Sequence, residues 1–147
     1  VVEIQCFFKN GESFYPCNEY AGEIVDLNYI EGAIELKANG VVLMDKTMWN
    51  YIDQLLAYLV DGVGCIKNNK PYGCCFPDQP IEVSFSPVDE NWLSITVKCH
   101  SSVSETVRID EYLYALKMSA LEFFEKLGKI IPHQEKYKHV LSVLNEI

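Results

Sequence analysis

The stretch GAIELKANGVVLMD, residues 32–45, constrains the fold more than any other part of this chain. Ile34 and Leu36 alternate with Glu35 and Lys37, the two-residue period of a strand with one apolar face. Asn39-Gly40 follows, and these residue types accept the two positive φ angles of a type I′ turn. Two antiparallel strands joined there are expected. The same alternation returns later: IEVSFS sets Ile81, Val83 and Phe85 against Glu82, Ser84 and Ser86. LSITVKC sets Leu93, Ile95, Val97 and Cys99 against Ser94, Thr96, Lys98 and His100. With PVDEN as a hairpin connection and SVSETVRI as a third strand, this part reads as a meander.

The opening VVEIQCFF is expected to be a strand that stops at Asn10-Gly11, and EIVDLNYI another with one wet face. In TMWNYIDQLLAYLVDG the residues Met48, Ile52, Leu55, Leu56 and Leu59 fall at helical spacing. Asp45 or Thr47 is the expected cap and Gly62 or Gly64 the stop. Asp110 is the expected cap of a long helix, EYLYALKMSALEFFEKL, whose stripe is Leu113, Leu116, Ala120, Phe123, Phe124 and Leu127, with Gly128 ending it. Pro132 suits the first turn of a last helix with Tyr137, Val140, Leu141 and Leu144 inward. Strands in runs followed by helices predict an α+β fold, mainly antiparallel sheet (hairpin plus meander) packed with about three helices, over residues 1–147 as a single domain. KPYGCCFPDQP, residues 70–80, reads as an irregular crossing from the first helix to the later strands.

Apolar residues are 49% of the chain and charged ones 22%, an ordinary globular balance. No apolar run approaches the length of a membrane span. Glu3, Lys9 and Glu12 interrupt any signal core in the first twenty residues, so a cytoplasmic protein is expected. The six cysteines (Cys6, Cys17, Cys65, Cys74, Cys75, Cys99) are too sparse for a disulfide scaffold and are read as reduced thiols.

Chemistry is weakly signalled. Cys74 and Cys75 are adjacent, so their side chains diverge, and no CxxC pairs exist to build a zinc site. His133 and His139, six apart on a presumed helix, point to different sides. Asp89-Glu90 and Asp110-Glu111 read as hairpin solvation and helix capping. There is no Gly-rich phosphate loop, GxSxG elbow or HExxH motif. No catalytic residue, metal or cofactor is therefore assigned. The rival reading is a small thiol- or metal-dependent enzyme centred on Cys74, Cys75 and His100, and a third is a structural homodimer.

The net charge of -9 is concentrated early: residues 1–61 carry ten acids against three bases. No base lies between Lys9 and Lys37, where Phe14, Tyr15, Tyr20 and Tyr29 are interleaved with carboxylates. Nucleic acid needs a basic footprint and is an unsuitable partner. Aromatic anchors in a carboxylate field suit a basic protein instead. The partner-binding residues expected are Glu12, Tyr15, Glu19, Tyr20, Glu23, Asp26, Tyr29 and Glu31. Trp49 and Trp92 each adjoin a core-facing position and are expected to pack, while an exposed Trp92 would be a contact residue.

In class, the chain resembles bacterial immunity proteins that neutralise a cognate toxin. The likeness lies in the compact acidic α+β character and in the segment ESFYPCNEYAGEIVDLNYIEG. The resemblance implies binding to a basic toxin and occlusion of its active surface, without catalysis.

Overall fold

A computed structural model describes residues 1–132 and 135–147. The expected hairpin is present: strands β3 (Glu31–Ala38) and β4 (Val41–Met44) pair antiparallel around Asn39 at φ 54° and Gly40 at φ 81°. A register shift between Leu36 and Lys37 leaves Leu43 as an extra residue, so that Leu43 and Met44 are both buried. β3 also pairs with β1 (Val2–Asn10), which in turn pairs with β2 (Ser13–Pro16). The first sheet therefore runs β2-β1-β3-β4, with the short β5 (Asn50–Tyr51) also on β3.

The meander forms a second antiparallel sheet, β6-β7-β8-β9, made of Tyr72–Cys75, Glu82–Pro87, Trp92–Lys98 and Ser102–Arg108. Its alternating apolar residues Val83, Phe85, Leu93, Ile95 and Val97 are all buried. The tip of the first hairpin joins the sheets, because the Asn39 side-chain amide donates to the Thr106 carbonyl at 2.9 Å and to Glu105 at 3.1 Å. One hydrophobic core runs beneath both sheets. Helix α1 (Ile52–Asp61), short α2 (Val63–Lys67), long α3 (Ile109–Ile130) and α4 (Lys138–Asn145) cover it, giving the α+β architecture. α3 lies across β1, burying the expected stripe of Leu113, Leu116, Ala120, Phe123, Phe124 and Leu127. The Ser119 hydroxyl donates to the Ile4 carbonyl at this crossing.

Several expectations need correction. Residues 23–30 form a loop rather than a strand. Asp26 accepts the Asn28 amide at 2.9 Å on its side chain and the Tyr29 amide at 3.2 Å on its backbone carbonyl, so local bonds replace a ladder. The first helix starts at Ile52. Asp45 caps only a single 3-10 turn, Lys46–Met48, and the Asn50 side-chain oxygen takes the amides of Tyr51 at 2.8 Å and Asp78 at 3.1 Å, holding this stretch out of the helix. Gly62 does end α1, yet the chain re-enters helix at once as α2.

Asp110 sits inside the first turn of α3, where it pairs with Arg108 at 3.0 Å; the capping position is Arg108 itself. Gly128 does not stop α3, which continues to Ile130 with the Ile131 amide still bonded to the Leu127 carbonyl at 2.8 Å. Pro132 precedes a 3-10 turn, Glu135–Tyr137, and α4 begins only at Lys138. His133 lies outside the described residues, and His139 is exposed on α4. The cysteine stretch is also more regular than expected, since Tyr72–Cys75 is the edge strand β6.

Gly32 sits where β1, β3 and the start of α1 come close together. A Cβ there would overlap the Phe7 carbonyl oxygen and stand 2.8 Å from Ile52 Cγ2. Because backbone on one side cannot yield, Gly32→Ala is expected to destabilise the fold by about 1–3 kcal/mol. A denaturant midpoint shifted down with unchanged slope in equilibrium unfolding would register this.

Candidate functional site

The loop between β2 and β3 builds the most distinctive surface. After Pro16 the chain makes one 3-10 turn, Cys17–Glu19, and then runs irregularly to Ile30. Tyr20 fixes its path from inside. This residue is only 4% exposed, its ring stacks on Phe8 at 4.8 Å, and its hydroxyl donates to the Glu23 carbonyl at 2.7 Å. The Asn10 side-chain amide donates to the same hydroxyl at 3.3 Å. Tyr20 is therefore a core anchor and not a contact residue, which corrects the expectation for it.

Glu12, Tyr15, Glu19, Glu23, Asp26 and Tyr29 are exposed, as a surface role requires. Glu31 is half-buried on β3 and lies 3.7 Å from the Lys9 ammonium. Lys9 is engaged three ways, since it also donates to the Gly11 carbonyl at 2.6 Å and sits 4.2 Å over the Trp49 ring. It is the lysine that borders the acidic cleft, and its charge is committed to Glu31 and the backbone. Among the described residues, Glu12, Glu19, Glu23 and Asp26 have no basic partner.

A cleft of about 280 Å³ runs along this surface, bordered by Glu23, Ile24, Asp26, Tyr29, Glu31 and Lys9. Exposed apolar groups stand beside the carboxylates: Val25 is 99% exposed, Tyr29 56% and Leu27 39%. Tyr29 is backed by the Tyr51 ring at 5.0 Å, which limits its freedom. Val25 and Leu27 are exposed because residues 23–30 form a loop and not the strand their alternation predicts. The residue that signals this loop is Asp26, because Asp two positions before Asn is a turn-forming pattern.

The cysteine stretch has a different geometry. Cys74 pairs across β7 with Val83, which pairs with Val97, so it shares the core-facing side. Cys75 pairs with Glu82, which pairs with Lys98, on the outer side. Two inter-strand spacings, roughly 10 Å, separate Cys75 from the end of β8 that leads to His100. The three residues of the rival enzyme reading are thus divided between the two faces of β6 and the connection from β8 to β9. Among the described residues no group of three or more His, Cys, Asp or Glu side chains is placed to hold a metal ion. Trp92 is 41% exposed, with the Arg108 guanidinium 5.8 Å from its ring, which corrects the expectation that it packs inside. Trp49 is half-buried beneath Lys9.

Compared with known proteins, the chain matches no family model, no curated protein and no solved structure.

Burial, reinforced by Cys75 and Asp61, pushes the Cys74 thiol up to about 11. At pH 8 roughly one Cys74 in a thousand is then a thiolate, the form that reacts. Iodoacetamide at pH 8 is expected to modify exposed Cys75 at least tenfold faster than Cys74, with the Cys74 rate climbing as pH rises towards 11. Peptide mass spectrometry over a pH series checks this.

Proposed function

We propose that this protein is an acidic protein-binding module that neutralises a basic partner in the manner of an immunity protein, by covering the partner's active surface. The observation that carries the reading is the pair of exposed carboxylates Glu23 and Asp26, without a basic partner among the described residues, beside the exposed Val25, Leu27 and Tyr29, with Glu12 and Glu19 exposed and likewise unpaired on neighbouring parts of the chain. Carboxylates that are already neutralised by neighbouring lysines attract little, whereas unpaired ones lend their full field to an approaching cation. Exposed apolar side chains among them supply area to be removed from water on docking. Tyr29 is the strongest single anchor in this arrangement, being aromatic, amphipathic and already braced by Tyr51.

The two kinds of group act on different steps. The carboxylates accelerate encounter, by about 10–1000-fold for strongly steered pairs, and the effect falls as salt shortens the screening length. The apolar residues slow release. Blocking a toxin requires both speed and residence, so the combination supports inhibition by occlusion. The rigid core beneath the loop supports the same reading, because an ordered loop loses less entropy when it binds.

A variant carrying Glu19→Lys, Glu23→Lys, Asp26→Lys and Glu31→Lys tests the proposal. Capture of a basic partner from the native lysate is expected with the parent protein and is expected to fail with this variant. With the partner in hand, Tyr29→Ala is expected to raise Kd by roughly 30-fold, the scale of a 2 kcal/mol hot spot. Capture that survives the charge reversal unchanged would exclude the surface.

A further inference from the structure

Two thiols lie against each other where β1 meets the start of the acidic loop. The pairing of β1 with β2 sets Phe8 opposite Tyr15 and Phe7 opposite Pro16. One further step in that register sets Cys6 opposite Cys17, the residue with which the chain leaves β2 and enters the 3-10 turn. Both side chains belong to the core, Cys6 at 2% exposure and Cys17 at 0%. The two thiols are in hydrogen-bond contact, and that contact, followed by burial, holds the Cys17 thiol protonated well above its ordinary range. Both are free thiols in this structure.

Thiols in contact at opposed positions are close to disulfide geometry. Residues facing each other across an antiparallel pair have Cα atoms about 4.5–5.5 Å apart, within the range of roughly 4.4–6.8 Å that disulfides span. A bond here asks for a small approach of two sulfurs and no rearrangement of the strands. Cys74 and Cys75 differ in this respect, since they are consecutive on β6 and lie on opposite faces.

The burial that brings the pair together also shields it. Disulfides form by attack of a thiolate on a disulfide sulfur, so a protonated thiol without solvent access does not exchange. In an unfolded chain a cysteine ionises near a pH of about 8.5 and is open to reagents. The reactive moment is therefore during folding, before α3 packs on β1 and on the turn at Cys17.

We propose that Cys6 and Cys17 are a disulfide site, closed when the chain folds in the presence of a small-molecule disulfide such as oxidised glutathione, and that the sealed bond fixes the start of the acidic loop to β1. The exchange balances. The thiolate of one cysteine attacks the oxidant's S–S bond and releases one glutathione; the second cysteine attacks the resulting mixed disulfide and releases the other. Two cysteine thiols are oxidised, one disulfide is reduced, and the two glutathione thiols take up the two protons. The bond closes the short loop of residues 6–17 and so restricts the unfolded chain. The site is independent of the docking reading and bears on it only through the rigidity of the loop.

The test refolds the reduced protein from denaturant with oxidised glutathione, blocks free thiols with N-ethylmaleimide and maps the digest by mass spectrometry. A peptide pair linked through Cys6 and Cys17 is expected, and at least tenfold less of it from native reduced protein given the same oxidant for the same time. Cell-free synthesis in the same oxidant replaces refolding where the denatured chain aggregates. The linked protein is expected to melt about 5 °C or more above the reduced one, and to resist dithiothreitol until denaturant is added. Cys17→Ala is expected to remove both the linkage and the gain in Tm. Cys6 and Cys17 both recovered as blocked thiols, or linked only to other cysteines, would overturn the site, and this readout needs no variant to fold. Equal yield from native and refolding protein would overturn its closure during folding. A linked protein that melts no higher than the reduced one would overturn the fixing of the loop.

Discussion

Phe8 is the residue on which the arrangement depends. It projects from β1, stacks on Tyr20 at 4.8 Å and on Phe123 of α3 at 5.1 Å, and is itself buried. Three parts of the chain that are distant in sequence are thereby joined at one side chain: the first sheet, the long helix and the acidic loop. Burying one such ring contributes about 1.5–3 kcal/mol, and each well-placed aromatic pair about 0.5–1.5 kcal/mol more. The stack continues through Phe124 to Tyr137, at 5.1 and 5.0 Å, and so reaches the carboxylate of Asp53. The core of this protein and its acidic loop are one connected structure.

The consequence is that an irregular, highly charged loop has a definite shape. Residues 17–30 carry little regular structure, and repulsion among their carboxylates favours an extended, mobile chain. Tyr20 opposes this from below through its ring and its bond to the Glu23 carbonyl, and Lys136 opposes it from the side through the Leu27 carbonyl. Asp26 adds a local turn. Among the described residues Glu12, Glu19, Glu23 and Asp26 have no basic partner, and their mutual repulsion weakens the fold slightly.

What could be read from the sequence follows from the range of the interactions involved. The hairpin at Asn39-Gly40, the meander and the stripe of α3 depend on nearest-neighbour periodicity and on backbone angles, and these are local properties. The misreadings have a shared cause in longer-range contacts. Asn50 holds residues 49–51 out of the helix by bonding Asp78, which lies 28 positions away. The edge strand β6 forms because Tyr72–Cys75 finds β7, although Gly73 and the flanking prolines discourage a strand. Glu12, Glu19, Glu23 and Asp26 are exposed, which their charge alone makes legible in the sequence. The inward turn of Tyr20 depends on Phe8, and no local pattern links those two residues.

A basic protein is proposed to dock on residues 17–31, the loop held in place by Tyr20. The most direct measurement is a hydrogen-exchange footprint of the protein with and without its captured partner, read peptide by peptide. Slowed exchange is expected across residues 17–31 and at the start of α1, with the outer face of the second sheet unchanged. Protection confined to the second sheet, with residues 17–31 exchanging as in the free protein, would contradict it.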